Sequence, residues 1–216
     1  MGARQKAAVL TLLQNRDQHG LKDWVRNARA PLRVLFSLTY SADQLIRWRA
    51  IEGTGLAAQV VAEDNIEGVR VFLRSLLWLM NDESGGIGWS APEAIGEVLL
   101  RCPRLKEEFG SLLPQFLVEE PFERGTNFAL FRLRHQAPEL IRASLSRLEK
   151  SLGDPDPAMR AYSWLNLAHI GFQFSTEQRE AFARDDGKLV WYDFSTGKIV
   201  NIHISEIAEG RALTIE

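Results

Sequence analysis

The 216-residue chain is 45% hydrophobic and 25% charged with a single cysteine, Cys102, which excludes a disordered or collagenous chain, an intrachain disulfide and a thiolate metal cluster. No run approaches the roughly 18 apolar residues of a membrane span, and the amino terminus lacks the apolar region and cleavage site of a signal peptide, so a cytoplasmic, reducing location is expected. The net charge of −2 conceals a polarity: residues 1–50 carry 9 Lys/Arg against 3 Asp/Glu, residues 51–125 carry 6 against 13, and the remainder 11 against 12, an arrangement that steers a partner or simply solvates helix faces.

Along the chain, most segments carry the 3.6-residue period of amphipathic helices. Ser41 with Gln44 fits a capping box at the start of one helix. From Ile66 to Met80, the residues Ile66, Val69, Leu73, Leu76, Leu77 and Met80 form one apolar stripe, with Glu67, Arg70 and Arg74 largely off it. The glycine-rich segment from Asp82 to Trp89 interrupts this order, and its conformational freedom exceeds that of a plain connector. Gly110 can close a helix in the left-handed conformation and Ser111 can cap the next, with Pro114 in its first turn. Leu140 to Leu152 reads as a further amphipathic helix, and Asp156-Pro157 as a cap followed by a first-turn proline. Strand signals are confined to the tail: Lys188 to Asp193 and Lys198 to Ser205 are β-branched and aromatic, with Phe194-Ser195-Thr196-Gly197 between them as a turn. Alternation places Val200, Ile202 and Ile204 on one apolar side, which must pack on the helices or on a second chain, so a homodimer through the hairpin is possible in principle.

Self-similarity organises the helices. Trp48-Arg-Ala50-Ile-Glu52-Gly-Thr-Gly55 and Trp89-Ser-Ala91-Pro-Glu93-Ala-Ile-Gly96 match at Trp, Ala, Glu and Gly with an offset of 41. Asp43-x-x-x-Arg47 recurs as Asp156-x-x-x-Arg160, and a weaker copy runs from Asn127 to Leu133. These residues resemble the HEAT-like repeat family, including the bacterial repeats named after phycobilisome lyases, over roughly residues 20 to 175. The resemblance implies a mainly α fold: an α-α superhelix, a HEAT-like solenoid of about five helical pairs over residues 1–187, with the C-terminal β-hairpin of residues 188–216 appended to the same domain. In such repeats the Asp caps the first helix, the Arg holds a ladder of Asp residues between repeats, and small residues let helices approach. The second copy departs from the pattern, with Ser84 and Gly88 where Asp43 and Arg47 stand.

Candidate site residues gather around that departure. Trp48, Trp78, Trp89 and Trp164 fall within the repeats, where aromatics can stack a ligand or peptide; the equivalent repeat positions of Trp48 and Trp89 favour core wedges instead. Glu52 and Glu93 recur at one repeat position and can receive a cationic group, although repetition favours a structural role over a catalytic pair. Asp82 and Glu83, ahead of Gly85-Gly86, match neither a calcium loop nor a P-loop and suit the rim of a recognition groove. His19, His135, His169 and His203 stand alone in sequence, without metal-ligand spacing, and His169 reads as a hydrogen-bonded core residue. No nucleophile elbow or Cys/His pairing is present. The expected function is therefore a non-catalytic interaction or scaffold module binding a protein segment through Glu52, Trp78, Asp82, Glu83, Trp89 and Glu93, without metal or cofactor. Relatives of the fold imply two alternatives: handling of a tetrapyrrole or bilin chromophore, and, through the spacing Trp78-x-x-x-Asp82, an alkylpurine DNA glycosylase, which the acidic middle of the chain disfavours.

Overall fold

The computed structural model describes residues 3–81 and 88–209; Asp82, Glu83, Gly85 and Gly86 lie outside the described residues. Among the described residues the fold is mainly helical, with thirteen α-helices and one two-stranded sheet. No helix among them is long and apolar enough to cross a membrane. The chain divides into two compact units, Met1–Leu113 and Pro114–Glu216.

The first unit contains α1 (Ala3–Gln14), α2 (Gln18–Asn27), α3 (Pro31–Phe36), α4 (Gln44–Asp64), α5 (Ile66–Asn81), α6 (Ala91–Arg101) and α7 (Lys106–Phe109). Its axis is α4, which packs against α1, α2, α3, α5 and α6 and is buried at every position from Ala50 to Ala58. A helix enclosed on all sides cannot be amphipathic, so it must carry small residues where neighbours cross. A Cβ at Gly55 would stand 2.8 Å from the Glu97 carbonyl oxygen; α4 and α6 thus meet at a separation that no larger residue permits. The helix starts at Asp43, whose carboxylate accepts from the amides of Leu45 (2.9 Å) and Ile46 (3.2 Å). Ser41, the expected cap, instead accepts from the Asp43 amide through its hydroxyl. Asn65 separates α4 from α5, its side-chain oxygen accepting from the Gly68 amide at 2.8 Å. Of the expected stripe of α5, Val69, Leu73, Leu76 and Met80 are buried, Ile66 and Leu77 are half-buried, and Phe72 joins the buried face. Gly110 does not adopt the left-handed closure: its φ is −63°, and the backbone continues as a 3₁₀ helix over Gly110–Val118 that accommodates Pro114.

The second unit contains α8 (Glu123–Leu133), α9 (Pro138–Ala143), α10 (Leu145–Lys150), α11 (Pro157–His169), α12 (Thr176–Ala183), β1 (Lys188–Asp193), β2 (Lys198–His203) and α13 (Ile204–Ala208). The helix expected over Leu140 to Leu152 is broken at Ser144, which is buried and donates its hydroxyl to the Leu140 carbonyl at 2.8 Å. Side-chain hydrogen bonding to a carbonyl one turn back competes with regular helix continuation. Asp156 caps α11 as expected, accepting from the Ala158 amide at 2.8 Å. Between α8 and α11 runs a buried polar ladder: Asn127 donates to the Met159 carbonyl (3.1 Å) and the Ser163 hydroxyl (2.7 Å), and Asn166 donates to the Asn127 carbonyl and side-chain oxygens (3.0 and 2.8 Å).

The hairpin is antiparallel, in register from Lys188↔His203 to Asp193↔Lys198. Its turn uses Gly197 at φ 66°, a conformation glycine adopts without Cβ strain, and Asp193, which accepts from the hydroxyls of Ser195 and Thr196 at 2.6 Å each. Burial comes from the first arm: adjacent Trp191 and Tyr192 are both buried, so β1 is covered on both faces. Val200 on the second arm is exposed, and Ile204 has left the strand to begin α13.

Candidate functional site

The side of α5 opposite its buried stripe presents Glu67, Val71, Arg74 and Trp78, spaced by four, three and four residues and therefore on one helical face. Val71 is 50% exposed and Trp78 is 71% exposed. Burying such a side chain contributes about 1.5–3 kcal/mol, so two of them left open on one stripe mark a surface with unused binding capacity. Single exposed apolar residues are ordinary; a run that adjoins a cleft is informative.

The cleft lies at the head of this stripe. Pro31 and Leu32 from α3, Val61 from α4, and Gly68, Val71 and Phe72 from α5 line a groove of about 260 Å³, with Arg33 and Asn65 at its polar margin. Ala30, on its lip, is held at φ 53°, ψ 51°, a left-handed conformation that costs a non-glycine residue roughly 1–2 kcal/mol. The following Pro31 further restricts it. Val71 belongs both to the exposed stripe and to the groove, which makes the two one surface.

The charges along α5 are satisfied locally. Arg70 donates through Nε to Glu108 at 2.7 Å and also pairs with Glu67, while Arg74 reaches Glu108 at 3.1 Å and Glu67 at 3.8 Å. Hydrogen bonding to Glu108 and then Glu67 holds the Arg70 pKa above its ordinary value, and hydrogen bonding from Arg70 holds the Glu108 carboxyl below its own. Two arginines and two glutamates thus form a closed, electrically balanced cluster beside the apolar residues.

Trp89 lies at the far end of the same helix. Gly88 is buried, with a Cβ there standing 3.1 Å from Leu79 Cβ, so the backbone just before Trp89 passes close to the last turns of α5. Trp89 is 65% exposed, not the core wedge that its repeat position suggests; its counterpart Trp48 is half-buried. Glu93 is half-buried in the first turn of α6, where a carboxylate complements the helix dipole. Glu52 is remote in role: buried on α4, it accepts from Arg16 NH2 at 3.1 Å and Gln18 Nε2 at 3.0 Å. The cavity beside it is about 10 Å³, room for no more than a water molecule. The equal repeat positions of Glu52 and Glu93 therefore carry unequal environments.

Of the sequence-derived residues, the structure brings Trp78 and Trp89 to one end of α5, assigns Glu52 to the corner between α1 and α2, and does not describe Asp82 or Glu83. Sequence reasoning missed Val71 and the groove. An apolar residue on the charged side of an amphipathic helix was the available signal for Val71; the groove, built from three separate helices, had none. Among the described residues no three His, Cys, Asp or Glu side chains are grouped as metal ligands would be.

No family model matches the chain, and no solved structure matches it. It is similar to an uncharacterised protein of Archaeoglobus fulgidus, 26% identical over 178 residues that cover 80% of this chain and 91% of that protein.

Proposed function

We propose that the chain is a non-catalytic interaction module, HEAT-like in its helical units, that docks an apolar-anchored segment of a protein partner on α5, with one side chain seated in the groove at its head. The observation that carries this reading is that exposed Val71 lines that groove and shares its helical face with exposed Trp78, about two turns further along α5. A volume of about 260 Å³ falls below the roughly 300–1,000 Å³ of small-molecule pockets, so it suits a side chain of a larger ligand better than a tetrapyrrole. The balanced pairing of Arg70 and Arg74 leaves this face poorly suited to nucleic acid, whose affinity comes largely from Lys and Arg that neutralise phosphates and release their counterions. Two helical units share one local device, which supports the repeat reading: Arg47 returns to the Ser41 carbonyl at 3.3 Å and Arg160 to the Asp154 carbonyl at 2.7 Å, each two residues ahead of the capping Asp.

Selection of a random peptide library on the intact protein tests the proposal. Enriched peptides are expected to carry Leu, Phe or Trp anchors and to lose about tenfold or more in affinity for Val71→Glu and Trp78→Ala, as truncation of central anchors does, while Lys150→Ala binds as the wild type. Absence of enriched peptides, or equal binding to all four proteins, overturns it.

A further inference from the structure

Two histidines that are isolated in sequence meet in the second unit. His135 follows the last turn of α8, and His169 is the last residue of α11. Their rings are 4.6 Å apart between centroids and perpendicular, and both side chains are exposed; His169 is not the core residue expected from its surroundings in sequence. α9 packs against both helices and contributes Arg142, also exposed. Arg134 is buried beside them, its guanidinium 4.2 Å from the centre of the Phe131 ring and its NH1 donating to the Phe131 carbonyl at 2.9 Å.

Cations oppose protonation of both imidazoles: Arg134 acts on His135, and His135, Arg134 and Arg142 act on His169, while α9 also carries the exposed Glu139 in its first turn. Desolvation first, and then these cations, hold both imidazoles below the ordinary histidine range. Burial, reinforced by Arg132, pushes Arg134 down to about 10. Basic residues at helix C-termini ordinarily complement the dipole, and histidines in that service have raised pKa values. The opposite direction here comes from desolvation first and from the neighbouring cations second, so a negative group brought to the pair would favour its protonation.

We propose that His135, His169 and Arg142, with Arg134 beneath them, form a binding site for a tetrahedral oxyanion, a phosphate or sulfate group. His135 beyond the end of α8, His169 on α11 and Arg142 on α9 supply basic groups from three elements; the guanidinium fork suits carboxylate and phosphate alike, and donors on three sides match the three-dimensional spread of oxygens on a tetrahedral anion. The histidine chemistry sets a condition. A neutral imidazole carries a proton on one ring nitrogen alone, so its second nitrogen donates to an anion only after taking one up. The anion raises the histidine pKa in the complex above that of the free protein. Affinity therefore rises as pH falls towards the free value, by up to about tenfold per pH unit for each proton taken up.

The test is a histidine NMR titration of the full-length protein with sulfate, which stays a dianion throughout, at about pH 6 and about pH 7.5 and constant ionic strength. The expected result is a rise in the titration midpoints of His135 and His169 relative to chloride. Sulfate should also bind about tenfold or more tightly at the lower pH, an advantage reduced at least fivefold in His135→Asn, while Arg142→Ala weakens binding at least fivefold at both pH values; both residues are exposed and both variants are checked for fold by circular dichroism. Inorganic phosphate and glycerol phosphate, compared at one pH, distinguish a free ion from a monoester as the natural source; preference for either supports the site. Midpoints identical in sulfate and chloride, acetate binding as well as sulfate, or unaltered affinity in both variants overturns the proposal.

Discussion

Glu52 illustrates how one residue fixes a corner of the fold. Its carboxylate gathers Arg16 and Gln18, and Arg16 itself has a positive φ of 50° where α1 turns into α2. Hydrogen bonds to a charged group contribute about 1.5–3 kcal/mol, so Glu52→Ala is expected to lower urea-measured stability by about 2 kcal/mol without affecting peptide binding at α5. Gly55→Ala, forced against the Glu97 carbonyl, should cost about 1–3 kcal/mol by overpacking. Cys102 is buried and its thiol is pushed up to about 11 by desolvation, so it should resist thiol reagents at about pH 8 until the chain unfolds; rapid labelling of native protein would contradict this. The recurrence of Glu52 was legible in sequence because it repeats, but its partners were not, since nothing local announces that a loop 36 residues upstream supplies them.

At the scale of elements, Arg160 joins the start of α11 to the segment before β1 by a fork to Asp185, at 2.7 and 2.8 Å. Hydrogen bonding from Arg160 holds the Asp185 carboxyl below its ordinary range. A carboxylate with a lowered folded pKa contributes stability above its unfolded value of about 4 and loses it as pH falls through the folded value. Asp185→Asn is therefore expected to cost about 2 kcal/mol near neutrality and progressively less below about pH 4, measured by urea unfolding at several pH values; a cost independent of pH would contradict the pairing. Periodicity made α5 readable, because its burial follows the helical period, whereas the hairpin arms were readable from their β-branched and aromatic residues and not from alternation, since adjacent Trp191 and Tyr192 are both buried. It failed at Ser144 and across Gly110–Val118, where the apolar spacing continues while the backbone hydrogen bonding changes.

At the scale of the whole molecule, several of the charges that make up the polarity of the sequence are engaged within the first unit. Arg16 serves Glu52, Arg49 donates to the Leu13 and Gln14 carbonyls, Arg47 donates to the Ser41 carbonyl, and Arg70 and Arg74 bind Glu67 and Glu108. Charges already paired across short distances steer a partner weakly, so peptide affinity at α5 should change less than about threefold between low and high salt, in contrast to the screening expected of an open charged surface. The indoles of the site were readable because tryptophan is scarce and two of the six lie beside the glycine-rich segment. The groove was not, because α3, the end of α4 and the start of α5 create it only on folding.

The most direct measurement is to follow ¹⁵N-labelled protein while a selected peptide is added, using its six tryptophan indole N–H signals and the backbone amides as position markers. Docking on α5 is expected to shift the Trp78 indole and the amides of Leu32 and Val71 in parallel, with the buried Trp191 indole unmoved. Saturation of the protein with Trp78, Leu32 and Val71 unchanged would contradict the docking of a partner segment on α5.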